Sequence, residues 1–311
     1  MSTDSTLAHT YGHDTNPLFR VLLPLGWGHL HNLGYYTPAT LPALLTGLAP
    51  FQRALARRSI DLLRLKPGQH VLDAACGTGH TTRLIADQGC TVTGIDLFPG
   101  HLDEAARRHG HHAGIRFARA DATDLRRAGP DTHTPRLQVD DAAYDKVHCL
   151  EAAFHFGPRG RRAFLEEAYR VLRPGGRLVL VDFVWNSDDP GEIRAADPGR
   201  LVRDTWGFEE FEPLHRYVRH AIDIGYAPCR VHDWTRPVTA RFMRIGHLCA
   251  RLALTGRGRR LLCRRWPMLR ELTTADWLAF SATALAHEPV RRASGYAALV
   301  LDKPPAQGGS S

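Results

Sequence analysis

The stretch VLDAACGTGH, residues 71–80, decides the fold of this chain. An apolar run typical of a β-strand ends at Asp73, a glycine-containing loop follows, and a helical pattern begins at about Thr81. Glycines are needed where the backbone turns tightly and where a ligand must approach without a Cβ in the way. The stretch therefore predicts a strand, a turn and a helix, with the turn as a candidate ligand loop. A plain strand-to-helix connection is the alternative at this point.

Strands and helices alternate along the chain outward from this stretch. We predict strands at residues 70–74, 91–96, 115–118, 144–150, 177–183, 229–234 and 295–301. Helices are predicted among them at residues 51–65, 81–88, 99–108, 161–172 and 214–225. Alternation of this kind requires parallel strands joined by crossover helices. The fold class we expect is α/β, a Rossmann-like, doubly wound and mostly parallel sheet of seven strands.

The alternation breaks after Phe183, and two or three helices follow between Val238 and His287. We interpret this part as an insertion before the last strand of one sheet, because a separate domain would leave the sheet without its closing strand. The division we predict is a helical lid at residues 1–55, a core at 56–184 and 288–303, and an acceptor-binding helical cap with one or two strands at 185–287.

The composition is that of an ordinary globular chain of 311 residues, with 43% hydrophobic and 23% charged residues. It contains no run of 18 apolar residues, and its first residues lack the basic and apolar parts of a secretory signal. The six cysteines are scattered without a CxxC pair, which favours reduced thiols. We therefore expect a cytoplasmic protein that involves no membrane.

The net charge of +8 comes almost entirely from arginine, since only three of the 40 basic residues are lysine. A nucleic-acid-binding protein concentrates its basic residues on one face, whereas these arginines are spread along the chain, so we expect no nucleic-acid partner. One denser stretch, RGRRLLCRRWPMLR at residues 257–270, favours a solvated amphipathic helix over a patch for an anionic partner. The sequence HGHH at 109–112 lacks regular ligand spacing, so we expect a solvated loop and no metal site.

Three consecutive predicted strands end in an aspartate, namely Asp73, Asp96 and Asp121. Asp96 stands 17 residues after Gly79, where a doubly wound fold places a carboxylate that accepts the two hydroxyls of a ribose. Ligands bind outside the carboxyl ends of the strands in such sheets. Three carboxylates beside a glycine loop without lysine or arginine suit a cationic adenosine ligand better than a phosphate.

Five segments in order, VLDAACGTG, GIDL, ARADATDL, YDKVHCLEAAFHF and RVLRPGGRLVLVDF, resemble the class I S-adenosylmethionine-dependent methyltransferases. They are most similar to the natural-product branch of that family, which modifies antibiotics and other secondary metabolites. The resemblance covers roughly residues 56–185. It implies S-adenosylmethionine as cofactor, S-adenosylhomocysteine as product, and a small-molecule acceptor as partner. It leaves open whether the chain forms a homo-oligomer.

The resemblance also implies which residues bind the cofactor. The methionine part would contact residues of the first loop, Asp73, Ala75, Cys76, Gly77 and Gly79. The ribose and adenine would contact residues after the next two strands, Asp96, Leu97, Phe98, Asp121 and Ala122. Ala75 stands where the family usually has the first glycine. Tyr35 and Tyr36 belong to HLHNLGYY, which resembles a loop that closes over the cofactor, although Asn32 replaces its histidine; a simple core loop is the alternative.

The segment CLEAAFHF carries the candidate catalytic residues Glu151 and His155, and Asp182 ends the next predicted strand. By resemblance to antibiotic O-methyltransferases, His155 would remove the proton of an acceptor hydroxyl. A histidine suits this role because its pKa lies near neutrality, and a neighbouring carboxylate would orient its ring and stabilise its protonated form. A histidine that only packs at a strand end is the alternative.

Three other reactions compete with O-methylation. One is C- or N-methylation, in which aromatic side chains stabilise a carbocation, with Trp185, Trp206, Phe208 and Tyr217 as candidates. The second is a cyclisation without methyl transfer on the same fold, and the third is RNA methylation. The acceptor is not identified by the sequence, nor is the use of a metal or a diphosphate. A cleft lined by arginine and histidine would indicate a diphosphate-bearing acceptor, and an aromatic one would indicate a macrocycle or polyketide.

Overall fold

The computed structural model of this protein describes residues 17–27, 30–126 and 137–306. Its central feature is a sheet with the strand order β3-β2-β1-β4-β5-β8-β7, in which β6 pairs with β5 off this path. The strands are β1 His70–Ala74, β2 Thr91–Asp96, β3 Ile115–Arg119, β4 Tyr144–Leu150, β5 Leu172–Trp185, β6 Glu212–Pro213, β7 Cys229–Asp233 and β8 Ser294–Asp302. The predicted fold class is confirmed, and the two-residue strand β6 adds an eighth strand.

The strands that carry the candidate site are all parallel. Strand β1 pairs with β2 on one side and with β4 on the other, β2 pairs with β3, and β4 pairs with β5. The chain order therefore reverses between β1 and β4, and a doubly wound sheet opens a crevice at the carboxyl ends of its strands at such a point. The candidate residues that follow β1, β2 and β4 lie at this edge.

The far side of the sheet is antiparallel. The N–H of Lys303 donates to the carbonyl of Gly176, and the N–H of Ala227 donates to the carbonyl of Asp302. Strand β8 therefore runs against both β5 and β7. Antiparallel neighbours do not require a parallel crossover, and the connection between β7 and β8 contains three helices, Arg241–Ala253, Gly256–Arg265 and Thr274–Ala293.

The helices are α1 Pro17–Leu22, α2 Ala49–Asp61, α3 His80–Ala86, α4 Pro99–His109, α5 Gly157–Val171, α6 Pro190–Ala196, α7 Leu201–Trp206, α8 Leu214–Ile224, α9 Arg241–Ala253, α10 Gly256–Arg265 and α11 Thr274–Ala293. The five helices for which bounds were predicted, α2, α3, α4, α5 and α8, lie within about one turn of them. Helix α2 ends at Asp61 instead of residue 65, because Arg64 has a left-handed φ of 53° that an α-helix cannot accommodate. Helix α5 starts one turn earlier than predicted.

The chain divides into two compact units. The first takes the described residues up to Leu55 together with Val184–Phe211 and Asp233–Tyr296, and the second takes Ala56–Phe183, Glu212–His232 and the described residues from Ala297 onward. The boundaries near 55 and 184 match the predicted division, but the lid segment and most of the cap group together. Helix α8 groups with the core unit, since Tyr226 after it donates its hydroxyl to the carbonyl of Leu165 in α5.

The first unit contains a cluster of aromatic rings. Trp206 contacts the rings of Phe19, Trp27 and His287, with centroid distances of 6.0, 6.2 and 6.2 Å. These residues come from α1, α7, α11 and the segment after α1, so their packing joins parts of the chain that are far apart in sequence. In the described part of the chain, no helix is both long and apolar enough to cross a bilayer.

Candidate active site

Asp73 anchors the loop that follows β1. Its carboxylate is only 1% exposed and accepts hydrogen bonds from the hydroxyls of Thr81 and Thr82, both at 2.7 Å. The Nδ1 atom of His148 in β4 lies 2.8 Å from its other oxygen, and Nε2 of that ring lies 2.9 Å from the hydroxyl of Ser59. Both oxygens of Asp73 are therefore taken up by the protein. Its contact with the methionine part of a cofactor stays a prediction, and its observed role is to join β1, β4 and α3.

The loop itself has three residues in the left-handed region. The φ angles are 54° at Ala75, 53° at Gly77 and 79° at Gly79. A Cβ at Gly79 would lie 2.6 Å from the ring of Phe117, whereas a Cβ at Gly77 would meet no atom within 4 Å. Gly79 thus serves packing, and Gly77 leaves space beside the backbone where a ligand can approach.

Cys76, in the same loop, is a neutral thiol. Burial raises its pKa well above the ordinary value, and the negative charges of Asp96 and Asp73 raise it further. A protonated and buried thiol is a poor nucleophile. Cys76 therefore shapes the loop and takes no part in covalent chemistry.

Asp96 links the first loop to the second. One carboxylate oxygen accepts the N–H of Gly77 at 2.9 Å, and the other accepts the N–H of Phe98 at 2.9 Å. Nδ1 of His101 lies 3.5 Å from that second oxygen. The side chain is partly exposed, and a carboxylate oxygen can accept more than one hydrogen bond. Asp96 is therefore preorganised to receive two further donors such as the hydroxyls of a ribose.

The neighbours of Asp96 complete this part of the site. Leu97 and Phe98 are partly buried, and the ring of Phe98 meets that of His101 edge-on at 4.9 Å. His101 was not among the predicted site residues. It lies in the first turn of α4, five residues after Asp96.

Asp121 follows β3 and makes a tight local turn. One of its oxygens accepts both the N–H and the hydroxyl of Thr123, at 2.9 and 2.7 Å. Its second oxygen forms no hydrogen bond in the described ranges. Ala122 is buried beside it. This arrangement leaves one carboxylate oxygen able to accept a donor such as the amino group of an adenine.

Glu151 and His155 lie on the connection after β4. Glu151 is buried, has a left-handed φ of 50°, and donates its N–H to the carbonyl of Val181. Strained backbone of this kind in a non-glycine residue is common at functional sites. His155 ends a short 3-10 turn, Ala153–His155, and its ring is partly exposed beside Phe154, with centroids 3.9 Å apart.

Asp182 positions the turn that carries His155 through contacts with the backbone. It is fully buried and accepts the backbone N–H groups of Phe154 and Phe183, and its pKa is raised to about 7, chiefly by burial. The hydroxyl of Tyr217 lies 3.5 Å from its second oxygen. Asp182 therefore holds the backbone of the turn, and its contact with the imidazole of His155 stays a prediction.

A buried ion pair that the sequence did not reveal lies in the same unit as Asp182. Nε of Arg161 in α5 is 2.7 Å from a carboxylate oxygen of Glu212 in β6, and both side chains are 1% exposed. The positive charge of Arg161 opposes the rise in the pKa of Asp182. Burial raises the pKa of Tyr217 well above its ordinary value, as does the negative charge of Asp182, so its hydroxyl stays protonated. No local pattern marks this pair, because its members are 51 positions apart.

The predicted lid tyrosines differ from each other. Tyr36 is fully buried, stacks on Phe51 at 4.4 Å and donates its hydroxyl to the carbonyl of Leu33. Contrary to the prediction, it packs the first unit and has no face available to a cofactor. Tyr35 is partly exposed and meets the ring of Trp234 edge-on at 5.6 Å, so its cofactor contact stays a prediction. His29, at the start of that segment, lies outside the described residues.

Two curated relatives resemble the chain in sequence, and a family model described as a methyltransferase domain matches residues 71–176. The 27-O-demethylrifamycin SV methyltransferase of Amycolatopsis mediterranei is 30% identical, over 70% of this chain and 75% of the relative. The 2-methyl-6-phytyl-1,4-hydroquinone methyltransferase of Synechocystis is 29% identical, over 70% of this chain and 65% of the relative. The chain spans about half to two thirds of the length of the first curated relatives it matches.

Two solved structures resemble it in fold. The [4+2]-cyclase SpnF has a TM-score of 0.62 at 19% identity, covering 93% of both chains. A geranyl diphosphate C-methyltransferase from Streptomyces coelicolor has a TM-score of 0.61 at 16% identity, covering 97% of this chain and 98% of that one. Likeness at these identities establishes the fold alone.

The family model covers β1 to β4 and the start of β5, the part of the chain that contains the glycine turn after β1 and the carboxylates after β2 and β3. Within the described residues, no three His, Cys, Asp or Glu side chains are grouped to hold a metal ion. The chain belongs to the class I S-adenosylmethionine-dependent methyltransferases.

Proposed function

We propose that this chain transfers a methyl group to a hydroxyl oxygen of a small-molecule acceptor, with His155 as the general base. The observation that carries the proposal is the turn Ala153–His155, which Asp182 holds through the N–H of Phe154 at the carboxyl end of β5. Strands β1 and β5 flank β4 in the sheet. The glycine loop and the turn that carries His155 therefore follow neighbouring parallel strands, β1 and β4, at the same edge of the sheet. A methyl-donor site and a general base must lie near each other to act on one acceptor.

The residues of the site fit the cofactor. The open side of Gly77 would receive the methionine part, Asp96 the ribose hydroxyls, and the second oxygen of Asp121 the adenine amino group. When bound, S-adenosylmethionine supplies an electrophilic sulfonium methyl group. Asp96 holds both its own loop and Gly77 before a ligand arrives, so little reorganisation is needed on binding.

His155 would remove the acceptor proton as the new bond to carbon forms. Neutral imidazole is the form that accepts a proton, and histidine is the side chain most often used as a general base. The buried carboxyl of Asp182 fixes the backbone of this turn. The imidazole is therefore carried by an anchored segment, which favours a fixed distance to the acceptor.

A panel of alcohols and phenols with methyl-labelled S-adenosylmethionine tests this proposal. We expect label in a methyl ether, identified by the chemical shift of its O–CH₃ group in NMR. Label in a C–CH₃ or N–CH₃ group would contradict O-methylation and indicate C- or N-methylation instead. Conversion of an acceptor without incorporation of label would indicate a cyclisation instead.

One observation favours a second candidate, methylation of an acceptor that bears a phosphate or diphosphate. The first unit contains a groove of about 900 Å³ along α9 and α11, lined by Pro38, Leu41, Ala240, Arg241, Arg244, Ile245, His247, Leu248, Arg251, Leu285, Glu288, Arg291 and Arg292. Within the described ranges, Arg241, Arg244 and Arg251 form no ion pair. Walls of arginine, histidine and leucine suit an anionic group attached to a hydrocarbon.

Substitution in this groove separates the two candidates. In an Arg244→Gln, Arg251→Gln variant, we expect the KM of a prenyl diphosphate acceptor to rise at least tenfold, since two charge-assisted contacts are lost. The KM of an uncharged alcohol should not change. An exposed pair outside the groove, Arg53→Gln with Arg194→Gln, is the matched control. No turnover of any phosphorylated acceptor would remove the second candidate and leave the first.

A further inference from the structure

The segment from Trp234 to Arg270 has an extreme charge pattern. It contains ten arginines and neither aspartate nor glutamate. Helix α10 lies within it, and three of its arginines, Arg257, Arg260 and Arg264, recur at a spacing of three and four and are exposed. None of these three side chains forms an ion pair or a hydrogen bond with any residue in the described ranges. Their charges are thus available to an external partner.

Large apolar side chains are exposed on α10 and beside it in the chain. Leu261 in the helix is 58% exposed, Leu254 just before the helix 48%, and Met268 in the 3-10 turn Pro267–Glu271 after it 64%. The opposite face of α10 is buried at Gly258 and Leu262, which fixes the direction in which Leu261 points. We call the exposed set of Leu254, Arg257, Arg260, Leu261, Arg264 and Met268 the α10 surface.

An aromatic ring lies next to the α10 surface. The guanidinium of Arg265 stands 5.4 Å from the ring centroid of Trp266, which is partly exposed. Arginine, tryptophan and aliphatic side chains together are typical of elements that lie at a membrane–water interface, where the cations meet anionic headgroups and the apolar groups enter the acyl boundary.

We propose that the α10 surface docks onto an anionic lipid bilayer. A bilayer would remove the exposed side chains of Leu254, Leu261 and Met268 from water, which a purely solvated helix face does not. An RNA backbone would neutralise the arginines but gain little from Leu254, Leu261 and Met268, since nucleic-acid sites pair cations with stacking aromatic rings. A bilayer satisfies both groups at once. The proposal departs from our expectation of no membrane, and it is independent of the proposed reaction because it rests only on this surface.

Vesicle flotation with the full chain tests the proposal. We expect the protein to float with phosphatidylcholine vesicles that contain roughly a third phosphatidylglycerol, to stay behind with phosphatidylcholine alone, and to be released at about 0.5 M salt. An Arg257→Gln, Arg260→Gln, Arg264→Gln variant should bind anionic vesicles roughly 100-fold more weakly. The charge-matched control is Arg53→Gln, Arg57→Gln, Arg194→Gln, on exposed arginines elsewhere, which should bind like the wild type.

A second variant separates a bilayer from other anionic partners. Leu261→Gln with Met268→Gln keeps every charge and should weaken vesicle binding about tenfold, because apolar insertion is lost. Circular dichroism and the melting temperature confirm that each variant is folded. Two results would overturn the proposal: no flotation of the wild type with anionic vesicles at low salt, or binding to RNA that is tighter than to vesicles and unaffected by Leu261→Gln with Met268→Gln.

Discussion

At the scale of single residues, the aspartates of the site have different duties. Asp73 is buried, is held by Thr81, Thr82 and His148, and acts as a structural anchor. Asp96 holds two loop N–H groups and is still accessible. Asp182 is buried, and its pKa of about 7 keeps it partly protonated near neutrality. The residue type is common to all three, but burial and partners decide which one can bind a ligand.

Substitution of Asp96 tests the ribose assignment. Asp96→Ala removes an acceptor for two hydroxyls and frees the N–H of Gly77. We expect affinity for S-adenosylhomocysteine to fall at least tenfold, since charge-assisted hydrogen bonds contribute about 1.5–3 kcal/mol each. Isothermal titration calorimetry measures the change, with Asp103→Ala in α4 as an acidic control. Equal affinity of the wild type and Asp96→Ala would remove the assignment.

At the scale of elements, the loop between β1 and α3 contains two glycines, Gly77 and Gly79, with different roles. Gly79 lets the loop pass the ring of Phe117, whereas Gly77 leaves its own side open. Ala75 shows that the left-handed conformation itself is tolerated by a side chain here, at a cost of roughly 1–2 kcal/mol.

The two glycines give a matched pair of substitutions. Gly79→Ala should lower the free energy of unfolding by more than the conformational cost alone, because its Cβ would meet Phe117 at 2.6 Å. Gly77→Ala should lower it by only about 1 kcal/mol, yet weaken cofactor binding, since the new methyl group occupies the ligand side. Urea unfolding and calorimetry on both variants separate stability from binding. The reverse pattern would contradict the assignment.

Helices α7 and α11 are joined by a histidine that must stay neutral. Burial lowers the pKa of His287 to about 4, and its ring accepts the indole N–H of Trp206 at 2.7 Å. The His287 ring takes up a proton more readily in the unfolded chain than in the folded one. The stability that the neutral ring contributes above pH 6.5 is therefore lost as the pH falls toward 4. The loss should approach roughly 3 kcal/mol. Urea unfolding between pH 4.5 and 7.5 should show that the free energy of unfolding falls with falling pH in the wild type and falls less steeply in His287→Gln. An equal pH dependence of the two proteins would contradict this role of His287.

At the scale of the whole chain, local sequence patterns predicted the secondary structure that depends on residues near one another in sequence. The periodicity and the turn residues placed β1, β2 and β4 at their observed bounds. These patterns did not predict contacts between residues that are far apart in sequence. They did not predict the buried pair of Arg161 with Glu212, the stacking of Tyr36 on Phe51, or the hydrogen bond from the N–H of Phe154 to Asp182.

The central claim is that His155 is the base for a hydroxyl acceptor. Its most direct test is the pH–rate profile of the wild type and His155→Ala, with the alcohol or phenol found in the acceptor panel and with cofactor binding checked by calorimetry. We expect His155→Ala to bind the cofactor normally and to lose about 10²–10⁴-fold in kcat, and the wild-type rate to fall below the histidine pKa. A folded, cofactor-binding His155→Ala that keeps near-full activity would contradict the account and make His155 a packing residue.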